Sequence, residues 1–211
     1  MTYYKATRPD GTSFHDATTA WSVGETVKIE MEDRKADLCG NGILHAADAP
    51  GETLIGGSWP CRLFEVEGTP VAQEGHKFGF HELTVIRELP AWQALGPNGE
   101  AAAALIERAG RLTEDEATRL EATRPAASAA ASAAAYAAVS ADTYAAAAAA
   151  SAAYDAAYAA VSADAYAAAY AAYAASAASA AAWALVVRDP ISEEHFQVLY
   201  GPWASVMEVE K

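Results

Sequence analysis

The sequence contains very little cysteine. Cys39 and Cys61 are the two cysteines in 211 residues. Two thiols are too few for a disulfide framework, so we expect partly buried free thiols in a reducing, cytoplasmic setting. The opening stretch MTYYKATRPDG has no apolar run behind basic residues and therefore predicts no secretory signal.

Positive charge is also scarce and is unevenly placed. The chain has 14 Lys and Arg against 28 Asp and Glu, a formal net charge of -14 and a pI near 4.6. Every Lys and Arg except Arg188 and Lys211 precedes Pro125. This charge opposes the phosphate neutralisation on which nucleic-acid binding depends, so we expect no nucleic-acid partner.

The segment Tyr136–Tyr173 lacks lysine, arginine, glycine and proline. Roughly two-thirds of residues 126–183 are alanine, the strongest helix former, and no helix breaker interrupts them. We therefore predict one continuous helix over residues 125–187. Its serine, aspartate and tyrosine content argues against a transmembrane helix, so no membrane partner is expected.

A helical hairpin is the alternative for this segment. It would turn at one of two VSAD sequences, with either Ser140 and Asp142 or Ser162 and Asp164 as caps. Neither sequence contains the glycine or proline that usually marks such a turn, so the single helix is preferred.

The tyrosines of this segment form one face when drawn on a helix at 100° per residue. The stretch YAAVSADTYAAA at Tyr136 also returns as YAAVSADAYAAA at Tyr158. Each aromatic side chain can bury about 150–250 Å², so a row of them is unfavourable in water. We predict a coiled-coil-like, self-associating face that makes a homo-oligomer, with packing within the chain and fraying as alternatives. Its residues are Tyr136, Tyr144, Tyr154, Tyr158, Tyr166, Tyr170, Tyr173 and Trp183.

The first part of the chain shows patterns typical of strands. The stretches YYKA, ETVKIEM, CRLFEVEGTP and HELTVIREL combine alternation or β-branched residues with turn residues at their ends. In DAPGETLIGG, Asp48 is a candidate N-cap and Pro50 suits a first helical turn, which predicts a short helix. A small α+β domain is therefore predicted.

Two short helices are predicted next. GEAAAALIERAG consists of strong helix formers and is closed by Gly110. TEDEATRLEATR begins with Thr113 and Glu116 at the spacing of a capping box. Near the end of the chain, DPISEEHFQVLYGPW predicts a short docking helix that begins at Ser192 and stops at the glycine and proline.

These elements together predict an α+β fold class. A small N-terminal mixed domain would occupy residues 1–95 and a helical connector residues 96–124. A long alanine-rich α-helix, or helical hairpin, would follow over residues 125–187. A short C-terminal docking helix and tail would occupy residues 188–211.

Several side chains of the first domain are of the types that bind zinc, namely Cys39, His45, Cys61, His76 and His81. Their spacing does not match a zinc finger, so no metal site is predicted. The sequence also contains no P-loop, dinucleotide fingerprint or G-x-S-x-G motif. We therefore predict no cofactor and assign no catalytic residue.

Five stretches together resemble an uncharacterised domain family of bacterial and phage proteins. They are YYKA, WSVGE, CGNGILHAADAP, CRLFEVEG and FHELTVIREL. The resemblance covers residues 1 to about 120 and, more loosely, the closing VVRDPISEEHFQVLYGPW. Members often carry a short-period, alanine-rich repeat after the domain, so the resemblance implies an architecture and no activity.

A shorter likeness is to the ADP-ribosyltransferase fold, through an early strand, the segment GILHA and the later EVEG strand. It implies His45 near an NAD cleft and Glu65 or Glu67 as the carboxylate that orients the ribose. GILHA departs by one residue from the spacing of that fold, and the same residues suit ordinary strand positions. We therefore predict a structural or interaction protein, with an NAD-using transferase as the alternative.

Overall fold

The computed structural model describes most of the chain outside the central alanine-rich segment. Its contacts divide the chain into two compact units, Met1–Gly96 and Pro97–Lys211. None of the helices in the described ranges combines the length and the apolar character needed to cross a membrane. The described residues are 1–34, 38, 42–123, 148, 150–155, 168–189 and 191–207.

The first unit is built on a seven-stranded antiparallel sheet. Its strands are β1 (Tyr3–Thr7), β2 (Thr26–Lys28), β3 (Leu44–Ala47), β4 (Arg62–Glu67), β5 (Pro70–Glu74), β6 (Lys77–Phe80) and β7 (Glu82–Leu89). They lie in the order β2-β7-β4-β1-β3-β6-β5, so β1 is the central strand and β2 and β5 are the edges.

One face of the sheet carries an aromatic core. The ring of Tyr3 lies 5.0 Å from that of Phe78 and 4.8 Å from that of Phe80, between centroids. Trp21 covers this face from the loop after β1, and its Nε1 donates a 2.8 Å hydrogen bond to Ser13 Oγ. The core cluster consists of Tyr3, Trp21, Leu44, Ala46, Phe64, Val66, Phe78, Phe80, Leu83 and Val85.

The α+β prediction for the first unit is wrong, because its described residues form strands and short 3₁₀ turns only. DAPGET forms one 3₁₀ turn, Pro50–Glu52, rather than an α-helix. Asp48 does not cap this turn. Its carboxylate instead accepts a 2.8 Å hydrogen bond from His76, which directly precedes β6, the strand paired with β3.

The second unit is helical in its described residues. Its helices are α1 (Gly99–Ala109), α2 (Glu114–Ala122), α3 (Ala168–Val186) and α4 (Glu193–Met207), and residues 150–155 are helical as well. The capping box before α2 is confirmed. Thr113 N donates to Glu116 Oε2 at 2.7 Å, and Glu116 N donates to Thr113 Oγ1 at 3.3 Å.

The prediction of one long alanine-rich helix is wrong. Ser179 Oγ donates a 3.0 Å hydrogen bond to the carbonyl oxygen of Tyr154, 25 residues earlier. In a continuous helix these residues would be ~37 Å apart, so the chain must change direction between them. Helix α3 (Ala168–Val186) is the longest described helix, at 19 residues.

The predicted hairpin caps, at residues 140, 142, 162 and 164, lie outside the described residues. The structure therefore does not locate a turn at either VSAD sequence.

Helix α4 begins as predicted but does not end as predicted. His195 N donates to Ser192 Oγ at 3.2 Å, which is the expected N-cap bond. The helix then continues through Pro202 to Met207. Leu199, Trp203 and Val206 are buried one helical turn apart, and α4 packs on α3. This tertiary packing outweighs the local tendency of glycine and proline to end a helix.

Candidate functional site

The alanine-rich helix α3 is the centre of the second unit. From Ala174 to Val186 its side chains are buried around the whole circumference, apart from half-buried Ser176 and Leu185. It contacts α1, α2 and α4. A helix that is apolar on all sides is stable in water only when other elements surround it. Here the chain's own helices provide that cover.

Alanine explains how several helices can surround one. Its methyl side chain lets helix axes approach to about 8 Å, the short end of the usual range. Alanine buries little area per residue, so many close contacts replace a few large ones. The one polar side chain fully buried among the described residues of α3, Ser179 at 0% exposed, is satisfied by the Tyr154 carbonyl oxygen.

The predicted tyrosine face is described only in part. Tyr154 is half-buried in the helical stretch 150–155. Tyr170 and Tyr173 belong to α3. Trp183 is 8% exposed, so it packs inside the second unit. The other four predicted face residues, Tyr136, Tyr144, Tyr158 and Tyr166, lie outside the described residues.

An ion pair with a buried carboxylate joins α1 to α2. Arg108 Nη2 donates to Glu116 Oε1, and Glu116 is 6% exposed. Burial would raise the pKa of Glu116, but hydrogen bonds from Thr113 and Arg108 outweigh burial and lower it. The carboxylate therefore stays charged and serves at once as helix cap and interhelical partner.

The candidate zinc ligands of the first unit are placed apart from one another where the structure describes them. Within the described residues no group of three or more metal-binding side chains is found, and Cys39 lies outside them. Cys61 is buried, and burial raises the pKa of its thiol to about 12. His76 is exposed and bonds Asp48, while His81 lies between β6 and β7.

His45 is engaged by the backbone. Its Nε2 lies 2.8 Å from the carbonyl oxygen of Leu38, and Lys77 Nζ donates to the same oxygen at 2.9 Å. Burial, and then the charge of Lys77, lowers the pKa of His45 to about 4. The imidazole is therefore neutral at pH 7 and donates to Leu38.

The carboxylates of the ADP-ribosyltransferase likeness do not meet His45. Glu65 on β4 accepts a 2.8 Å hydrogen bond from Arg87 Nε on β7, and Glu67 is exposed. Strand β1 separates β3, which carries His45, from β4. Glu65 faces Arg87, away from the strand of His45, so the described contacts build no histidine and glutamate pair.

The sequence patterns used above do not single out Lys5. This residue is on the central strand, on the core face, and its Nζ lies 5.1 Å from the centroid of the Trp21 ring. The signal was available in YYKA, because residues two apart on a strand share a face and Tyr3 is an obvious core residue.

Comparison of the chain with known protein families, with curated proteins and with solved structures gives no match. The resemblances to the bacterial and phage domain family and to the ADP-ribosyltransferase fold therefore stay predictions.

Proposed function

We propose that this chain is a structural or interaction protein that acts through its alanine-rich helical unit. The observation that carries the proposal is the burial of α3 on all sides from Ala174 to Val186. Its one fully buried polar side chain among the described residues, Ser179, joins α3 to the helical stretch 150–155 through its bond to the Tyr154 carbonyl oxygen. Helix α3 therefore serves as the central helix around which the other helices of the unit pack.

Self-association is the proposed role of this helical unit. Because α3 is covered by α1, α2 and α4, the contact surface between copies must come from other segments of the helical unit. Tyrosines are the largest side chains of the segment between α2 and α3, and each can bury about 150–250 Å². Every copy carries the same repeat, which favours a homo-oligomer. The proposed compartment of this oligomer is the cytoplasm.

The proposal is tested by removing these side chains from one variant of the full chain. We expect Tyr136, Tyr144, Tyr158 and Tyr166 replaced together by Ala to reduce the solution mass to that of one chain, 22.0 kDa. Helix content should be retained, because alanine is the better helix former. Sedimentation velocity gives the mass and far-UV circular dichroism gives the helix content.

The matched control replaces two serines of the same segment, Ser128→Ala and Ser132→Ala. It should leave both mass and helix content unchanged, since it removes no large apolar side chain. A tyrosine variant whose mass equals that of the wild-type oligomer would contradict the proposed interface.

A further inference from the structure

The two edges of the sheet in the first unit differ in how they can pair with another strand. Strand β5, at one edge, begins with Pro70, which has no backbone N–H, and its pairing with β6 shifts register between Pro70 and Ala72. A proline and a bulge are features by which natural sheets block pairing at an edge. Strand β2, at the other edge, contains no proline and pairs with β7 in one continuous register.

The backbone of β2 leaves two residues facing the open edge. Glu25 accepts a hydrogen bond from Val85 N, and Ile29 N donates to the residue just before β7, both at 2.9 Å. In an antiparallel pair, residues that bond to the neighbouring strand alternate with residues whose N–H and C=O groups face the other way. Thr26 and Lys28 therefore turn these groups to the edge, and none of the described residues bonds to them there.

The side chains of these two residues are bonded to β7. Lysine often guards an exposed edge, but Lys28 Nζ forms a 3.0 Å ion pair with Glu82. Thr26 Oγ1 lies 2.9 Å from Thr84 Oγ1, also on β7. Both side chains are therefore engaged within the sheet, which leaves the backbone groups of β2 open to a further strand.

Two exposed apolar side chains flank β2 at equal distances along the chain. Val23 is 53% exposed and Met31 is 74% exposed, and each lies four residues from Val27, the middle of the strand. A second copy of β2 can lie antiparallel about a two-fold axis through Val27. Thr26 of one copy then faces Lys28 of the other, and Val23 faces Met31. From Val23 to Met31 this register sets no like charges opposite each other.

We propose that the β2 edge, the outward side of Thr26–Lys28, pairs with the β2 edge of a second copy of this chain. Thr26 of each copy exchanges backbone hydrogen bonds with Lys28 of the other, and the two sheets become one. Stable interfaces bury roughly 1,200–2,000 Å², more than one short strand pair can cover, so this contact is weak and forms at high protein concentration. It uses the first unit and does not depend on the self-association proposed for the helical unit.

Cysteine trapping tests the contact in the full chain. On the two-fold axis the Cα atoms of the two Val27 residues lie about 4.5 Å apart, within the range that a disulfide spans. Under mild oxidation Val27→Cys should give a linked dimer of twice 22.0 kDa on a non-reducing gel. Its yield should be at least about tenfold that of Val71→Cys on the blocked edge β5, because unpaired strands do not hold two sulfurs in bonding geometry. Peptide mass spectrometry must place the bond between the two copies of position 27, since the chain also carries Cys39 and Cys61.

Charges at the flanking positions test the register. In the Val27→Cys chain, Val23→Glu with Met31→Glu sets like charges opposite each other and should reduce the linked dimer by about fivefold or more. Val23→Lys with Met31→Glu sets opposite charges there and should restore it. Both positions are exposed, so these variants should fold as the parent does. Equal dimer yields from the two charge variants would overturn the proposed pairing.

The same trapping in the variant with four tyrosines replaced by alanine separates this contact from the helical oligomer. The linked dimer should still form there, more slowly, because oxidation accumulates even a weak contact. A Val27→Cys dimer no more abundant than the Val71→Cys dimer would overturn the β2 contact and leave the proposal for the helical unit standing. A dimer that disappears with the tyrosines would also overturn it, because the edges would then meet only inside the helical oligomer.

Discussion

In the first unit the sheet buries aromatic side chains on one face, whereas in the second unit helix α3 buries alanine on all sides. The first core consists of a few large contacts, such as Tyr3 against Phe78 and Phe80. The second consists of many small contacts between α3 and its neighbours. The comparison predicts opposite sensitivities, because a large side chain leaves a cavity when removed and a small one causes overpacking when enlarged.

The largest effect is expected from breaking the aromatic core. Phe64→Ala should lower the free energy of unfolding by about 3–5 kcal/mol, because Phe64 is fully buried and leaves a cavity. Urea denaturation measures the loss. Val71→Ala on the exposed edge strand β5 is the control and should change stability by less than about 0.5 kcal/mol. Equal losses in the two variants would mean that the sheet face is not the core.

The alanine core should lose stability when a side chain is enlarged, rather than when one is removed. Ala181→Leu enlarges a fully buried side chain of α3 and should cost about 1–3 kcal/mol by overpacking. Ala104→Leu, on the exposed face of α1, adds the same atoms without a clash and should be close to neutral. Thermal melts followed at 222 nm compare the two variants. If Ala181→Leu proved as well tolerated as its control, α3 would not be enclosed.

The ion pair between α1 and α2 sharpens the comparison, because the first unit has no ion pair this buried among its described residues. Glu116→Ala should cost about 1–2 kcal/mol at pH 7, since it removes a cap and leaves Arg108 unpaired. The pKa of Glu116 is lowered by folding, so this stability is present above its unfolded pKa.

The contribution of Glu116 is therefore lost as the pH falls through its folded pKa. Urea denaturation of wild type and variant between pH 7 and pH 3 should show the difference shrinking toward acid. A difference that is constant over this range would assign the effect to packing and not to the charge.

The smallest effect is expected at the exposed pair of His76 and Asp48. The hydrogen bond to Asp48 raises the pKa of His76. The pair therefore stabilises the folded state below the ordinary histidine pKa and ceases to do so as the pH rises through the folded pKa. NMR titration should show the pKa of His76 falling toward about 6.5 in Asp48→Asn. An unchanged titration midpoint would mean that the pair does not form in solution.

The sequence patterns identified the strands that alternate clearly. The stretches YYKA, CRLFEVEGTP and HELTVIREL correspond to β1, β4 and β7. Strands β3 and β6 were not predicted, because LHAA and KFGF are only four residues long and small residues stand between or beside their large core residues. Gly79 is one of these: a Cβ there would lie 2.3 Å from Ile43 Cδ1 and 2.8 Å from Leu38 Cδ2. The need for glycine at this position arises from Leu38 and Ile43, which are distant in sequence.

In the helical unit, local sequence signals predict that helices form but not where they end. Propensity predicts that an alanine-rich segment is helical, but every residue in it has nearly the same preference, so propensity cannot place the ends. The bond between Ser179 and Tyr154 depends on tertiary packing. The same holds for α4, where burial of Trp203 carries the helix past Pro202. Lys5 shows the converse, because alternation alone would have placed it on the core face.

Self-association of the helical unit is the central functional claim, and the solution mass of the wild-type chain tests it most directly. Light scattering after gel filtration, over a range of protein concentrations, should give an integral multiple of 22.0 kDa. A mass of 22.0 kDa at every concentration would contradict the claim and would mean that the tyrosines pack within a single chain.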